Sequence, residues 1–235
     1  MSKYNQGEDS IIELREMRFR NLNVSYLYHL THIENLESIL KLGILPLNNL
    51  KNLSRSHSDI SMPDVQLRRD MRKIITSSGM TYNVHDFVPF FYRKKTPMLY
   101  KRKEQVGELC FIVIQVRSIC TEGLLCVASD GNVASPKTEC WELFPNGFSR
   151  LNRLNWDIIH ADSWTSYKDG KRICSAELLI RPHIKPDDIY AIIFPSSNSK
   201  KSIDQLLLSN KLLNNPLRPI QTTVCPEDFF MFANF

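Results

Sequence analysis

Residues 25–43, SYLYHLTHIENLESILKLG, constrain the fold most, because two periodicities meet there with no linker between them. Ser25 to Leu30 is aromatic and β-rich, which suits a pleated, half-buried surface. Thr31 and Glu34 then stand at the spacing of a capping box, in which hydroxyl and carboxylate satisfy the free amides of a first helical turn. Ile33, Leu36, Ile39 and Leu40 follow at helical spacing, Lys41 falls in the last turn, and Gly43 supplies the stop. The segment reads as a strand running straight into a capped helix.

Further strands are predicted at Phe87 to Tyr92, Leu109 to Val116, Leu124 to Ala128, Ala176 to Ile180 and Ile189 to Phe194, each a short β-branched or aromatic run between turn residues. From Leu47 to Met80 the chain is polar and rich in Ser, Asn and Arg, with a short helix predicted around Val65 to Ile75; a stretch this long is read as a functional loop region. Trp141 to Trp164 is mixed, with a helical piece near Leu154 to Ala161, and Ser202 to Leu213 reads as a helix with Leu206, Leu207 and Leu212 on the sheet. Helices gather toward the N-terminal half and strands beyond it, which predicts an α+β domain with a mostly antiparallel central sheet and flanking helices. With 43% hydrophobic residues in 235, a full core is available. Residues 24–235 are taken as that domain, preceded by an N-terminal extension, 1–23.

Several classes are disfavoured. The opening MSKYNQGEDS has no apolar core, and no run of about 18 apolar residues occurs, so a cytoplasmic protein without membrane spans is expected. Cys110, Cys120, Cys126, Cys140, Cys174 and Cys225 show no CxxC or CxxH spacing and read as core thiols, with no metal expected. GxGxxG and GxxxxGK[ST] are both missing, so any nucleotide must be held without those phosphate cradles. The net charge of +5 is mild, but the positive residues bunch at Arg68, Arg69, Arg72 and Lys73, at Arg93 to Lys95, and at Lys101 to Lys103. With Phe90, Phe91, Tyr92 and Tyr100 interleaved, these clusters suit a polyanion whose bases stack, and equally an ordinary solvated face.

Two residues ask for an explanation. His29 ends a strand where a capped helix begins, and Glu177 lies within the strand SAELLI, where an unpartnered carboxylate is costly. Each is open to a structural or a catalytic reading.

The segments YHLTHIENLESILKLGIL (Tyr28 to Leu45), VQLRRDMRK, VHDFVPFFYRKKTPMLY (Val84 to Tyr100) and AELL occur in an order that resembles the DarT family of DNA ADP-ribosyltransferase toxins, over roughly residues 24 to 194. The resemblance implies a single-domain ADP-ribosyltransferase-like fold that takes ADP-ribose from NAD and places it on a base in single-stranded DNA, thymine in preference to guanine. Its implied partner is a macrodomain antitoxin that removes the modification. Residue by residue it implies Glu177 and Arg69 as catalytic, with Arg68 the substitute if the register slips. It implies His29, Thr31, Asn35, Arg69 and Tyr100 as NAD-binding, with His85, Asp86 and Pro97 to Tyr100 shaping the nicotinamide and base sites. Arg93, Lys94, Lys95, Lys103, Asn132, Arg150 and Arg153 are the candidates for DNA contact, with Ser175 beside them. Trp156, Asp157 and Trp164 divide between core packing and support of a substrate loop. Phe87 stands where the family has Tyr, a change that keeps the ring and loses a hydroxyl.

The chemistry fits these residue types. Breaking the bond between nicotinamide and ribose leaves an oxocarbenium-like sugar, which a carboxylate can stabilise before acting as a base. An arginine can steer phosphates or stabilise a base anion, and a base must leave its stack to be reached. An NAD-dependent transferase acting on RNA or protein, or a nucleic-acid binder without turnover, would share some of these features.

Overall fold

The computed structural model describes residues 3–144, 147–201, 203, 204, 206 and 220–231. The strands are β1 (Tyr26–His32), β2 (Lys73–Ile75), β3 (Thr81–Asn83), β4 (Val88–Phe91), β5 (Leu109–Gln115), β6 (Leu125–Ser129), β7 (Cys140–Glu142), β8 (Glu177–Arg181), β9 (Ile189–Phe194) and β10 (Gln221–Val224). The helices are α1 (Lys3–Arg20), α2 (Leu36–Leu42), α3 (Leu47–Asn52), α4 (Pro63–Asp70), α5 (Pro97–Lys101), α6 (Val116–Ile119), α7 (Trp156–His160), α8 (Gly170–Ile173) and α9 (Ser197–Lys201). One eight-stranded sheet, ordered β10-β9-β5-β1-β4-β8-β6-β7, forms the centre, and its neighbours are antiparallel except for β10 beside β9. The result is a single α+β domain, as expected.

β5 explains why the sheet sits where it does. Six of its residues, Leu109 to Ile114, are buried, because both of its faces are covered. Cys110, Ile112 and Ile114 point into a core shared with α2 and Phe19 of α1, while Leu109, Phe111 and Val113 meet Leu30 and Phe229 on the other face. Removing a side chain such as Phe111 from water stabilises the fold by about 1.5–3 kcal/mol. α1 is fastened by Phe19, edge-on to Phe148 at 4.9 Å, and by Arg15, which donates to the Cys120 carbonyl at 2.7 Å. The six cysteines are free thiols, and burial pushes the Cys120 thiol up to about 12.

Gly43 ends α2 with φ +81°, and a Cβ there would stand 1.9 Å from the Ile184 carbonyl oxygen, so only glycine allows Ile44 to bridge to Ile184. The predicted capping box is not formed. Thr31 is still within β1, paired with Cys110, and the first amide of the turn, that of Glu34, donates instead to Nδ1 of His32 at 3.2 Å. A strand pairing that runs two residues further displaced the local signal.

The polar stretch 47–80 is more ordered than a loop. The helix predicted over Val65 to Ile75 starts at Pro63, where a missing N–H costs nothing, and stops at Asp70. Lys73–Ile75 turns instead into a hairpin with Thr81–Asn83, helped by Gly79 at φ +80°. The helix predicted over Ser202 to Leu213 lies outside the described residues except at Ile203, Asp204 and Leu206. No helix among the described residues is long and apolar enough to cross a membrane.

Candidate active site

Glu177 opens β8 on the side of the strand that also carries Leu179, and it is 2% exposed. Its main chain is pinned by Ser129, whose Oγ accepts the Glu177 N–H at 2.9 Å. Its carboxylate accepts the Val133 N–H at 3.2 Å and is gripped by Arg69, whose Nη1 donates to Oε1 at 3.0 Å and Oε2 at 2.9 Å. A carboxylate in this position is tolerable only because such donors replace lost water. The carboxylate and its arginine both face a cavity of about 390 Å³, within the ~300–1,000 Å³ usual for small-molecule sites.

Arg69 arrives from α4, a helix with no buried residue of its own. Polar bonds hold it in place. The buried His85 ring bridges Asp70 Oδ1 and Gln66 Oε1, each at 2.7 Å, and Asn83 Nδ2 donates to the Asp70 carbonyl at 2.6 Å. Burial, more than its neighbours, lowers the proton affinity of His85, although the Asp70 bond opposes it. His85 in turn is set by a capping box between Asn83 and Asp86. Arg68, one residue earlier, also lines the cavity but pairs with Asp64 at 3.1 Å rather than with Glu177.

The opposite wall comes from β1 and the turn after it. His29 Nδ1–H donates to the Pro89 carbonyl at 2.9 Å, which leaves Nε2 as the acceptor of a ring that lines the cavity. Withdrawal from water lowers the His29 proton affinity below that of a solvated imidazole. Asn35 is a clip: Nδ2 donates to Thr31 Oγ1 and to the Ser58 carbonyl, both at 3.0 Å, while Oδ1 accepts the Ser58 N–H at 2.9 Å. The segment between α3 and α4 is thereby drawn across the cavity. Its far end is held by Arg102, which donates to the carbonyls of Ile60 and Ser61 at 2.8 and 2.6 Å.

Thus His29, Thr31, Asn35, Arg69, Asn132, Ser175 and Glu177 share one cavity, with His85, Pro97 and Met98 also on its wall. Tyr100 is not among its lining residues; it is half exposed, edge-on to Trp164 and Phe230. The basic candidates are dispersed. Arg93, Lys94 and Lys95 line a second cleft with Tyr26, Tyr28 and Asp228, where Arg93 donates inward to the Ile159 carbonyl and Lys94 pairs with Asp228. Arg150 lies over the Trp141 ring and pairs with Glu139, and Lys103 lies over Tyr100. Arg153 is exposed at the end of the turn Gly147–Arg153. Phe90, Phe91 and Tyr92, predicted as stacking aromatics, are buried, because the pairing of β4 with β1 and β8 encloses them. Trp156 packs edge-on to Tyr92 and donates to the Leu151 carbonyl, and Asp157 lies in the first turn of its helix. Among the described residues no group of three or more His, Cys, Asp or Glu could hold a metal ion.

Several supporting residues escape a reading of the sequence. Ser58, Gln66, Ser129 and Val133 have ordinary local contexts, and only the turn signal Ser129-Asp130-Gly131-Asn132 after a strand marks a place where backbone amides come free.

A family profile described as "DarT: ssDNA thymidine ADP-ribosyltransferase" matches residues 28–230. A DNA ADP-ribosyl transferase of Thermus sp. (strain 2.9) is 27% identical over 161 residues, which is 66% of this chain and 73% of that protein. A DNA ADP-ribosyl transferase–DNA ADP-ribosyl glycohydrolase fusion protein of Thermosipho africanus is 26% identical over 80% of this chain and 46% of the fusion. The fold matches Thermus sp. 2.9 DarT in complex with ADP-ribosylated ssDNA with a TM-score of 0.74 at 22% identity, covering 88% of this chain and 97% of that one. The complex of that protein with NAD+ gives a TM-score of 0.69 at 20% identity, over 88% and 98%. With most of its length matched by the family profile, the chain belongs to the DarT family and is an NAD-dependent DNA ADP-ribosyltransferase.

Proposed function

We propose that this enzyme is a toxin that transfers ADP-ribose to thymine in single-stranded DNA and releases nicotinamide. The observation that carries the reading is the Arg69–Glu177 pair, buried at 12% and 3% side-chain exposure yet open to the same cavity as His29, Thr31 and Asn35. His29, Thr31 and Asn35 form the side that receives NAD. The bond between the nicotinamide nitrogen and ribose C1′ breaks, and its electron pair leaves with nicotinamide. Glu177 stabilises the oxocarbenium-like ribose. Thymine N3, the ring nitrogen not bonded to deoxyribose, then attacks C1′ and passes its proton to Glu177 as general base. Arg69 fixes the carboxylate through Nη1, and its remaining donors suit one of the carbonyl oxygens beside N3 in the developing base anion, which leaves N3 free to meet C1′.

The reading includes a macrodomain glycohydrolase as the partner that reverses the modification, and the glycohydrolase fused to the Thermosipho relative supports that pairing. Incubation with labelled NAD and oligodeoxynucleotides, followed by mass spectrometry of the nucleosides, tests the proposal. An adduct on thymine is expected. An adduct on guanine overturns the base assignment, and label on RNA or protein alone overturns DNA as the acceptor.

Two consequences concern the NAD side. Because the His29 ring resists protonation, the KM for NAD should stay level from pH 8 down through 6.5, where a solvated imidazole would change charge, and rise only at lower pH. A rise already centred at 6.5 would refute the lowered proton affinity of His29, and no rise at any lower pH would exclude Nε2 as the acceptor that NAD uses. Asn35→Ala removes the two hydrogen bonds that hold the Ser58 segment and a third to Thr31, and KM for NAD should rise about tenfold with kcat nearly unchanged. Steady-state kinetics with NAD as the varied substrate would show an equal KM if the clip plays no part.

A further inference from the structure

The chain brings three aromatic rings together outside the cavity. Tyr100 meets Trp164 at 5.8 Å and Phe230 at 5.6 Å, and Trp164 meets Phe230 at 6.1 Å, all edge-on. They come from α5, from the segment before α8, and from the turn after β10, so no local signal assembles them. Tyr100 is 50% exposed, while Trp164 and Phe230 are partly buried, Phe230 against the core cluster of Leu30, Phe111 and Phe229. Phe230 holds this place at φ +58°, a conformation unfavourable for a bulky residue and kept only where surrounding packing enforces it.

The cluster is tied to the active cavity on two sides. Tyr100 shares α5 with Pro97, Met98 and Lys101, which line the cavity. The Trp164 carbonyl packs so closely on Gly170 that a Cβ there would lie 2.2 Å from its oxygen, and Gly170 begins α8, whose Lys171 also lines the cavity. A cation meets the cluster: Lys103 Nζ, which also pairs with Glu104 at 3.8 Å, lies 5.7 Å from the centre of the Tyr100 ring, while Lys101 and Lys171 line the cavity. An exposed ring braced by two others, with a lysine over it and further lysines on the neighbouring cavity wall, suits a flexible polyanion with planar groups. The rings hold one another in place, so little side-chain entropy remains to be lost on binding.

We propose that Tyr100, Trp164 and Phe230 form a stacking platform for a base next to the modified one, which holds the single strand so that the target base enters the cavity. The proposal rests on single-stranded DNA being the acceptor. It makes the platform a determinant of DNA affinity and leaves the handling of NAD to the cavity.

Trp164→Ala and, separately, Phe230→Leu should each raise KM for a thymine-containing oligonucleotide about tenfold, with KM for NAD and kcat close to wild type. A second arm distinguishes stacking from a structural role. Oligonucleotides with one abasic residue, moved stepwise along each side of the thymine, should include one position that raises KM about tenfold for the wild-type enzyme and leaves that of Trp164→Ala unchanged. Unchanged KM for the oligonucleotide in both variants, or an abasic penalty that simply adds to that of Trp164→Ala at every position, overturns the platform while DNA stays the acceptor. Failure of the wild-type enzyme to modify any oligodeoxynucleotide would overturn the acceptor reading itself, and the platform with it.

Discussion

Glu177→Gln is expected to lower transfer to DNA by a factor of about 10³ or more, the scale set by removing a charge that acts on the transition state. The substitution keeps the volume of the side chain, and its amide oxygen can still accept from Val133 and Arg69, so the contacts that shape β8 survive. What is lost is the negative charge beside the ribose and the base that takes the thymine proton. The variant also leaves Arg69 without its counter-ion. Because Arg69 opens on the cavity, solvent shares that cost, and a fall in Tm of several degrees with cooperative unfolding is the expected accompaniment. Single-turnover assays with labelled NAD, run beside thermal denaturation, separate the two effects. A folded Glu177→Gln enzyme within tenfold of wild-type activity would refute the role given to the carboxylate.

Arg69→Lys should cost about 10²-fold in kcat while stability changes little. A lysine keeps the charge that compensates Glu177, so the fold retains its buried ion pair. It loses the planar group whose Nη1 reaches both carboxylate oxygens, and with it the spare donors on the same rigid fork. The two substitutions therefore probe different things: one removes the reacting charge, the other removes its orientation. If Arg69→Lys retains activity within threefold, the arginine serves as a counter-ion alone.

Much of the frame was legible because its signals are local. The apolar run Leu109 to Val116 could only be a doubly covered strand, and Gly43 could only be a stop, as the contact with Ile184 shows. Glu177 drew attention because a strand carboxylate needs a partner, yet the partner lies 108 positions away and no spacing connects them. α4 was placed approximately but misjudged in length, since nothing apolar anchors it and its end depends on a hairpin formed later in the chain. Thr31 was assigned to a cap because its spacing to Glu34 is right; the longer pairing with β5 and the His32 ring decided otherwise. The basic clusters were the least legible. Lys94 and Arg93 are engaged with Asp228 and the Ile159 carbonyl, and a sequence does not show which cations a fold has already used.

The two members of the proposed catalytic pair also belong to parts of the molecule with different protection. Glu177 is set in the central sheet between β4 and β6, where amides exchange with solvent only on global opening. Arg69 rides on a two-turn helix kept in place by His85 and Asn83, with no apolar face to bury, so its amides should exchange through local opening at far lower free energy. Mild urea would then detach the arginine while the sheet is intact, and enzyme activity would fade at concentrations well below the unfolding midpoint. The proposed site is thus a junction between a part of the fold that opens slowly and one that opens readily, and its competence is governed by the weaker one.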